Sequence, residues 1–336
     1  MNKTFWFLFL ALTTIAFGQN KEKEIFVKLI DQPILIDGDL SEPVWDSATE
    51  NGNFQQYFPS DSILAKQQTK IKMLYDSTTL YLGVTVYSKG NDYVIPSLQR
   101  DFRAGNNDNI SFIFDTFNDG TNAFLFGTNP LGVRREALIS NGGSSRDGFS
   151  TSWDVKWQGE TKIYDRYYTI EMAIPLTSVK FKEGGTKWRF NSYRFDMQEN
   201  ETSTYSNIPQ NQLIYNLAFM EEMVFEKPLG KSRTPLALIP YINGITSRDY
   251  TVHDSKSQYK VGGDAKLAIG NGMNLDLTLN PDFSNVEVDN VVTNLTRFEI
   301  SLPERRQFFV DNNDLFGNFG NSWGENPFIS RRIGLA

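Results

Sequence analysis

A short segment with two tryptophans carries the clearest candidate chemistry in the chain. In residues 153–157, WDVKW, a strand would place Trp153, Val155 and Trp157 on one face, and Asp154 and Lys156 on the other. Sugars present flat apolar faces and hydroxyl groups, and sites that hold them combine aromatic platforms with carboxylates, amides or guanidinium groups. We therefore predict that Trp153 and Trp157 contact a ligand. The alternative is that both belong to the core.

Four polar residues flank the ends of predicted strands and are candidate polar contacts for the same ligand. They are Arg103, Asp108, Asn109 and Asn129. Loops at strand ends carry binding residues in many proteins, but they are also rich in solvated polar side chains, and that is the alternative here.

Catalytic classes find little support in the residue types. Cysteine is absent and His253 is the single histidine, so a catalytic triad or a zinc site built on these residues is excluded. Glycosidase chemistry needs two carboxylates across a cleft, and with 40 acidic residues a pair is always available and discriminates nothing. Alternation in its strand predicts that Glu171 lies opposite Ile170 and Met172, at an exposed position.

Composition and the N-terminus bound the class of protein. The 336 residues carry a net charge of −7, and nucleic-acid binding would need a basic face. Residues 1–18 combine an early lysine, a short apolar run and small residues near Gly18, which predicts a secretory signal peptide cleaved after Gly18. The apolar run is too short to span a bilayer as a helix.

The elements that must position the candidate residues are predicted to be strands. Alternating segments separated by turn residues predict hairpins within residues 71–88, 109–130 and 154–175, and a further strand begins near Lys187. Short strands with frequent turns favour a β-sandwich. Residues 226–235, EKPLGKSRTP, predict a linker. The strands that follow alternate between apolar and polar residues, which suits either an outer-membrane barrel or a soluble amphipathic sheet.

Several strings in the first part of the chain carry a family resemblance. The segment from Ile34 to Ala48, ILIDGDLSEPVWDSA, resembles the opening of family 9-like carbohydrate-binding modules. The pair Arg100–Asp101, the string NDNISFIFDTFND, the run TNPLGV and the segments WDVKW and YTIEMAIP continue the resemblance over roughly residues 26–230. We expect Asp37, Glu42 and Trp45 to define the fold before they touch any ligand. Relatives often carry arginine where this chain has Gly127.

The resemblance also implies a structural calcium ion, held by oxygen ligands. Acidic and amide side chains cluster in RAGNNDN and DTFNDG, including Asn107, Asp108, Asp115 and Asp119. Calcium prefers oxygen shells of this kind. Ordinary turn chemistry accounts for the same strings.

The second part of the chain resembles a different domain. The string from Leu279 to Phe316, together with PFISRRIG, resembles an uncharacterised bacterial domain that follows this module in outer-membrane proteins of the Bacteroidetes type and is thought to form a β-barrel. A barrel needs at least about eight strands. Only about three are predicted after residue 235, which implies an incomplete barrel. Arg305 and Arg306 could bind anionic glycan or lipid head groups, or pair with neighbouring acids.

Together these features predict an all-β protein with a jelly-roll-like β-sandwich over residues 24–230 and an incomplete barrel-like region over residues 231–336. The expected function is carbohydrate binding at the bacterial cell envelope in support of glycan capture or catabolism. The expected partners are an oligo- or polysaccharide and the outer membrane or a barrel-completing chain, and the expected location is the outer membrane, periplasm or cell surface. Two alternatives remain: a glycoside hydrolase or hydrolase-associated protein, and an outer-membrane structural or assembly protein whose sandwich binds protein.

Overall fold

The computed structural model describes residues 23–151, 153–230, 236–249, 254–269, 273–281 and 309. The predicted signal peptide, His253, Arg305 and Arg306 lie outside the described residues.

The described chain is built from strands joined by turns and short 3-10 helices. The strands are β1 (Glu24–Leu29), β2 (Glu50–Asn51), β3 (Gln55–Phe58), β4 (Thr69–Tyr75), β5 (Thr79–Tyr87), β6 (Asn109–Asp115), β7 (Ala123–Thr128), β8 (Arg134–Ile139), β9 (Phe149–Ser150), β10 (Gln158–Tyr164), β11 (Tyr167–Pro175), β12 (Lys187–Asp196), β13 (Glu201–Thr204), β14 (Glu221–Phe225), β15 (Leu236–Asp249), β16 (Asp254–Ile269) and β17 (Met273–Leu279). The 3-10 helices are Pro43–Ser47, Ala104–Asn106, Asn141–Gly143, Arg146–Gly148, Leu176–Ser178 and Leu217–Phe219. This composition confirms the all-β prediction.

Strands β1 to β14 form a sandwich of two sheets that share β1. The front sheet runs in the order β1, β14, β12, β6, β7, β8, β9, with β13 on β12 and β3 on β13. The back sheet runs β10, β11, β5, β4, with β2 and the end of β1 on β4. The main core lies between them, where Phe112, Phe126 and Phe190 of the front sheet and Val84 and Ile170 of the back sheet are fully buried.

Both outer faces of the sandwich are partly covered by other parts of the chain. On the front sheet, Ile113, Leu125 and Tyr193 belong to a second apolar cluster that Leu217 covers. On the back sheet, residues from 30 to 48 form a third cluster around Trp45. The two coverings protect apolar outer faces that a simple two-layer sandwich would expose to water.

The predicted hairpins are confirmed, but the segment around the two tryptophans is different. The pairs β4–β5, β6–β7 and β10–β11 are antiparallel neighbours, as alternation predicted. Residues 153–157 are not a strand, because β10 begins only at Gln158. The prediction that Trp153 and Trp157 share the face of a strand is therefore wrong, because both residues lie in a segment without regular secondary structure.

Strands β15, β16 and β17 form a separate antiparallel sheet. Its register pairs Leu238 with Ala265 and Ala265 with Leu277, so these residues share one face, while Asp264 pairs with Thr278 on the other. Leu238 and Leu277 are 67% and 57% exposed. Within the described ranges, we find no helix with the length and hydropathy of a membrane span.

Candidate functional site

The segment that opens the family resemblance folds onto a buried glutamate. Oε2 of Glu171 accepts the backbone N–H groups of Asp37 (3.0 Å) and Gly38 (3.1 Å), and its Oε1 accepts the indole N–H of Trp45 (2.9 Å). Gly38 has a φ of +84°, and a Cβ there would lie 2.8 Å from the carbonyl carbon of Thr161. The motif therefore defines the fold, as expected for Trp45, but the prediction that Glu171 is exposed is wrong, because this segment covers it.

Burial raises the pKa of Glu171 to about 7, and the negative charge of Glu42 adds to the rise while the three N–H donors oppose it. Carboxylate oxygens of Asp37, Glu42 and Glu171 lie within 4.8 Å of one another. Calcium takes six to eight oxygen ligands, and most lone pairs of Glu171 are occupied by N–H groups. These three residues therefore fit a hydrogen-bonded carboxyl group better than a calcium shell.

The four groups named for calcium in the sequence do not form one shell either. Asn107 and Asp108 precede β6, whereas Asp115 ends it and Asp119 lies in the following turn. A strand of this length separates its ends by roughly 20 Å. Asp115 already accepts the backbone N–H groups of Asn118 and Gly120. Calcium binding stays a prediction, and we assign no calcium site among the described residues.

The two tryptophans that sequence reasoning singled out are core residues. Trp153 is 5% exposed and packs edge-on against Phe126, and Trp157 is 2% exposed. The indole N–H of Trp157 donates to Oε2 of Glu136 at 3.1 Å. Burial raises the pKa of Glu136, and the guanidinium of Arg100, in contact with Oε1, opposes the rise. Ligand contact by either indole stays a prediction, and both rings are already occupied by packing.

The four predicted polar contacts do not form one cluster of free side chains. Arg103 is exposed, whereas Asp108, Asn109 and Asn129 are buried. Asp108 accepts the backbone N–H groups of Val94 and Met197, Asn109 donates to two backbone carbonyls, and Asn129 accepts the backbone N–H groups of Leu131 and Val133. The hydrogen bonds of Asp108, Asn109 and Asn129 therefore hold the backbone of nearby segments in place.

A different concave surface combines aromatic rings with polar groups. It is a cleft of about 370 Å³ on the outer face of the front sheet, lined by Tyr57, Arg146, Phe149, Phe195, Thr202, Leu213, Ile214 and Tyr215. We call it the aromatic cleft. All four of its aromatic side chains are only half-buried, so ring surface faces the cleft.

Local folding explains how these rings meet. Phe195 of β12 and Thr202 of β13 are directly paired, so they share the outer face of the front sheet. Phe149 begins β9 at the edge of the same sheet, and its ring lies 4.9 Å from that of Tyr215, at 46°. The hydroxyl of Tyr57 donates to the carbonyl of Gln212 at 2.6 Å, which ties β3 to the segment carrying Tyr215.

A polar row crosses the front sheet beside the cleft. Tyr193, Ser111, Gly127 and Arg135 are paired in that order across β12, β6, β7 and β8. A Cβ at Gly127 would lie 2.7 Å from Ser111 Oγ and 3.0 Å from Cγ of Arg135. Glycine at this position therefore lets the Arg135 side chain cross β7, where Nη1 donates to Ser111 Oγ (3.2 Å) and to the Tyr193 hydroxyl (3.1 Å).

A second cleft, of about 560 Å³, lies where residues 34–36 approach β8 and β10. Its lining includes Arg134, Gln158 and Glu160 but no aromatic residue. Small-molecule sites combine apolar or aromatic walls with a few polar groups. The second cleft combines the apolar residues Ile34, Leu35 and Ile36 with polar groups, but only the aromatic cleft adds aromatic rings, which give flat apolar surface for a sugar.

The comparison with protein-family models decides the family. Residues 36–214 match the model described as Carbohydrate family 9 binding domain-like, which is more than half of the chain. The chain belongs to this family. Residues 232–336 match a second model, described as a domain of unknown function. We refer to the sandwich as the family 9-like module.

Three solved structures are similar to part of this chain. A family 9 module from Caldicellulosiruptor kristjanssonii in complex with cellotriose is 16% identical, with a TM-score of 0.43 over 62% of this chain and 95% of that chain. A family 9 module from the same organism in complex with glucose is 17% identical, with a TM-score of 0.44 over 63% of this chain and 98% of that chain. A Bacteroides uniformis protein to which carbohydrate binding has been ascribed is 15% identical, with a TM-score of 0.49 over 61% of this chain and 100% of that chain. None of the curated proteins compared matches the chain.

Sequence reasoning missed the residues of the aromatic cleft because they are scattered. Its aromatic residues come from four separate segments: Tyr57 from β3, Phe149 from β9, Phe195 from β12 and Tyr215 from the loop that follows β13.

Proposed function

We propose that this protein binds carbohydrate, and that the aromatic cleft of the family 9-like module holds the sugar. The observation that carries the proposal is the meeting of four half-buried aromatic rings around one cleft, in a chain that belongs to a carbohydrate-binding family. Aromatic faces offer apolar surface to the C–H face of a sugar ring, and Arg146 and Thr202 offer groups for its hydroxyls.

Binding is favoured over hydrolysis in this cleft. Glycoside hydrolysis uses two carboxylates on opposite sides of the scissile bond. Among the described side chains that line the aromatic cleft there is no carboxylate, and the polar groups are those of Tyr57, Arg146, Thr202 and Tyr215. Groups of these kinds can hold and orient a saccharide, but they supply no pair of acid and base at a glycosidic bond.

The proposal extends to the place where binding occurs. We propose that the protein is exported and acts at the cell envelope, capturing glycan for uptake or breakdown, with its C-terminal region associated with the outer membrane. The signal-like composition of residues 1–18 supports export. The apolar face of the β15–β17 sheet, with Leu279 76% exposed, supports association with an apolar environment or partner.

Isothermal titration calorimetry of the purified full chain tests the proposal. The panel contains cello-, xylo-, manno- and galacto-oligosaccharides together with acidic oligosaccharides. We expect saturable binding of at least one member, and we expect Tyr215→Ala to weaken that binding roughly tenfold or more, because an aromatic contact contributes about 0.5–1.5 kcal/mol beyond the apolar area it buries.

Tyr167→Ala is the matched control. Tyr167 is also half-buried, but its ring stacks on Tyr164 at 4.7 Å and 7° on the back sheet, so the two faces cover each other. We expect this variant to bind like the unaltered chain. Equal losses in both variants would place the site elsewhere, and a chain that binds no saccharide in the panel would contradict the proposed function.

A further inference from the structure

The charge of the aromatic cleft differs from that of the protein around it. The chain has 40 acidic and 33 basic residues, yet the one charged side chain among the described residues lining the cleft is Arg146. This side chain is exposed. Among the described side chains, the arginines with a carboxylate inside 4.0 Å are Arg100, Arg189 and Arg194, so no described carboxylate forms an ion pair with Arg146.

A second arginine lies behind the wall of the cleft. Arg135 is 4% exposed, and its guanidinium lies 5.7 Å from the ring centroids of Phe102 and Phe149. The ring of Phe149 therefore lies between this guanidinium and the cleft, and we call this ring the Phe149 wall.

The direct contacts of Arg135 include no carboxylate, although burial raises the pKa of the nearby Asp101 and attraction to the Arg135 guanidinium opposes that rise. Its hydrogen-bond acceptors are the hydroxyls of Ser111 and Tyr193, and its buried Nε has no partner. Of the acids that the structure describes, none lies within 4.0 Å of it. Burying a charge without a direct ion pair is costly. This guanidinium therefore keeps positive charge close to the Phe149 wall of the cleft.

We propose that the aromatic cleft selects acidic saccharides, with Arg146 bound to the anionic group of the sugar and Arg135 supplying positive charge behind the Phe149 wall. This inference rests on the proposed function and names the ligand class for the same site. The planar guanidinium fork matches a uronate carboxylate with two parallel hydrogen bonds, and it also accepts a sulfate ester.

The proposal has a consequence for ionic strength. Attraction between an exposed guanidinium and a sugar anion is screened by salt, with a screening length of about 10 Å at 0.1 M and about 3 Å at 1 M. Affinity for an acidic saccharide is expected to fall as salt is added. Stacking of a neutral sugar on Tyr215 or Phe195 does not depend on charge, so its affinity is expected to change little.

The test is a set of calorimetric titrations of the full chain with a tri-galacturonate, a sulfated trisaccharide and a neutral galacto-trisaccharide. Each is carried out at 0.05 M and 0.5 M salt, with the unaltered chain, with Arg146→Gln and with Arg166→Gln. The control residue is an exposed arginine in the β10–β11 turn of the back sheet.

We expect an acidic saccharide to bind roughly tenfold to a hundredfold more tightly than the neutral one, because this is the gain in affinity that a hydrogen bond to a charged group typically gives. Arg146→Gln should remove that preference and its salt dependence while Arg166→Gln keeps both. The two acidic arms tell a carboxylate-selective site from a sulfate-selective one, and a preference for either supports the inference. Equal affinity for neutral and acidic saccharides would overturn the inference and leave the proposed function standing. An absence of saccharide binding would overturn both.

Discussion

The carboxyl group of Glu171 gives a prediction about stability that depends on pH. Glutamine at this position keeps the shape and one acceptor oxygen, which can serve the backbone N–H groups of Asp37 and Gly38. Its amide nitrogen has no lone pair for the indole N–H of Trp45, which the native side chain accepts at 2.9 Å. Leaving a buried donor without a partner costs about 1–3 kcal/mol.

The substitution lowers the stability of the variant, whereas the raised pKa of Glu171 lowers the stability of the unaltered protein as the pH rises. Burial raises the pKa of Glu171 from 4.5 to about 7, so between these values the folded protein holds a proton that the unfolded chain has lost. This contribution to the free energy of unfolding is fully present below about pH 4.5 and is lost as the pH rises through about 7. A shift of this size is worth about 3 kcal/mol. Because glutamine does not titrate, the side chain at position 171 of the variant makes no pH-dependent contribution to its free energy of unfolding.

Glu171→Gln is therefore expected to be about 1 kcal/mol less stable than the unaltered protein at pH 5, where the folded glutamate is still protonated but the unfolded one is already largely ionised. By pH 8 the difference should shrink to zero or change sign. Urea unfolding followed by tryptophan fluorescence at pH 5, 6, 7 and 8 measures it. The control is Glu160→Gln, an exposed position paired with Glu171 across β10 and β11, which should change stability by less than about 0.5 kcal/mol. Equal stability at pH 5 would refute the hydrogen-bond reasoning, and a gap that is constant with pH would refute the raised pKa.

Three further substitutions test other parts of the structure by thermal or urea unfolding and by saccharide titration. Gly127→Ala should destabilise by about 1–3 kcal/mol, because its Cβ would lie 2.7 Å from a serine oxygen, whereas Gly105→Ala, with open space around it, should be nearly neutral. Trp153→Ala should cost about 3–5 kcal/mol as a core truncation, and binding lost from a fully stable variant would contradict its core role. Trp157→Phe should cost about 1–3 kcal/mol, because the buried carboxylate of Glu136 loses a donor, and saccharide affinity should stay within about twofold.

The strands of the sandwich could be predicted from the sequence because their pattern is local. In β6, Ile110, Phe112 and Phe114 alternate with residues of the other face, and turn residues separate β6 from β7. The same alternation gave the wrong result for Glu171. A residue on the outer face of a sheet normally meets water, and nothing local in β11 indicates that the chain around Trp45 folds over it.

The aromatic cleft could not be predicted, since its rings meet only in the folded protein. Phe149, Phe195 and Tyr215 each lie in an ordinary setting when taken with their sequence neighbours, and more than 60 residues separate the first from the last. The tryptophans of residues 153–157 attracted attention because two large aromatic residues stand close together. Their size is also what makes them suitable for filling the core, and the structure uses them there.

A crystal structure of the full chain with its tightest-binding saccharide tests the central claim most directly. The account predicts a sugar ring between the aromatic side chains of the cleft, in contact with Tyr215 and within hydrogen-bond distance of Arg146. A saccharide bound instead in the cleft beside Arg134 and Glu160, or on any surface away from the front sheet, would contradict it.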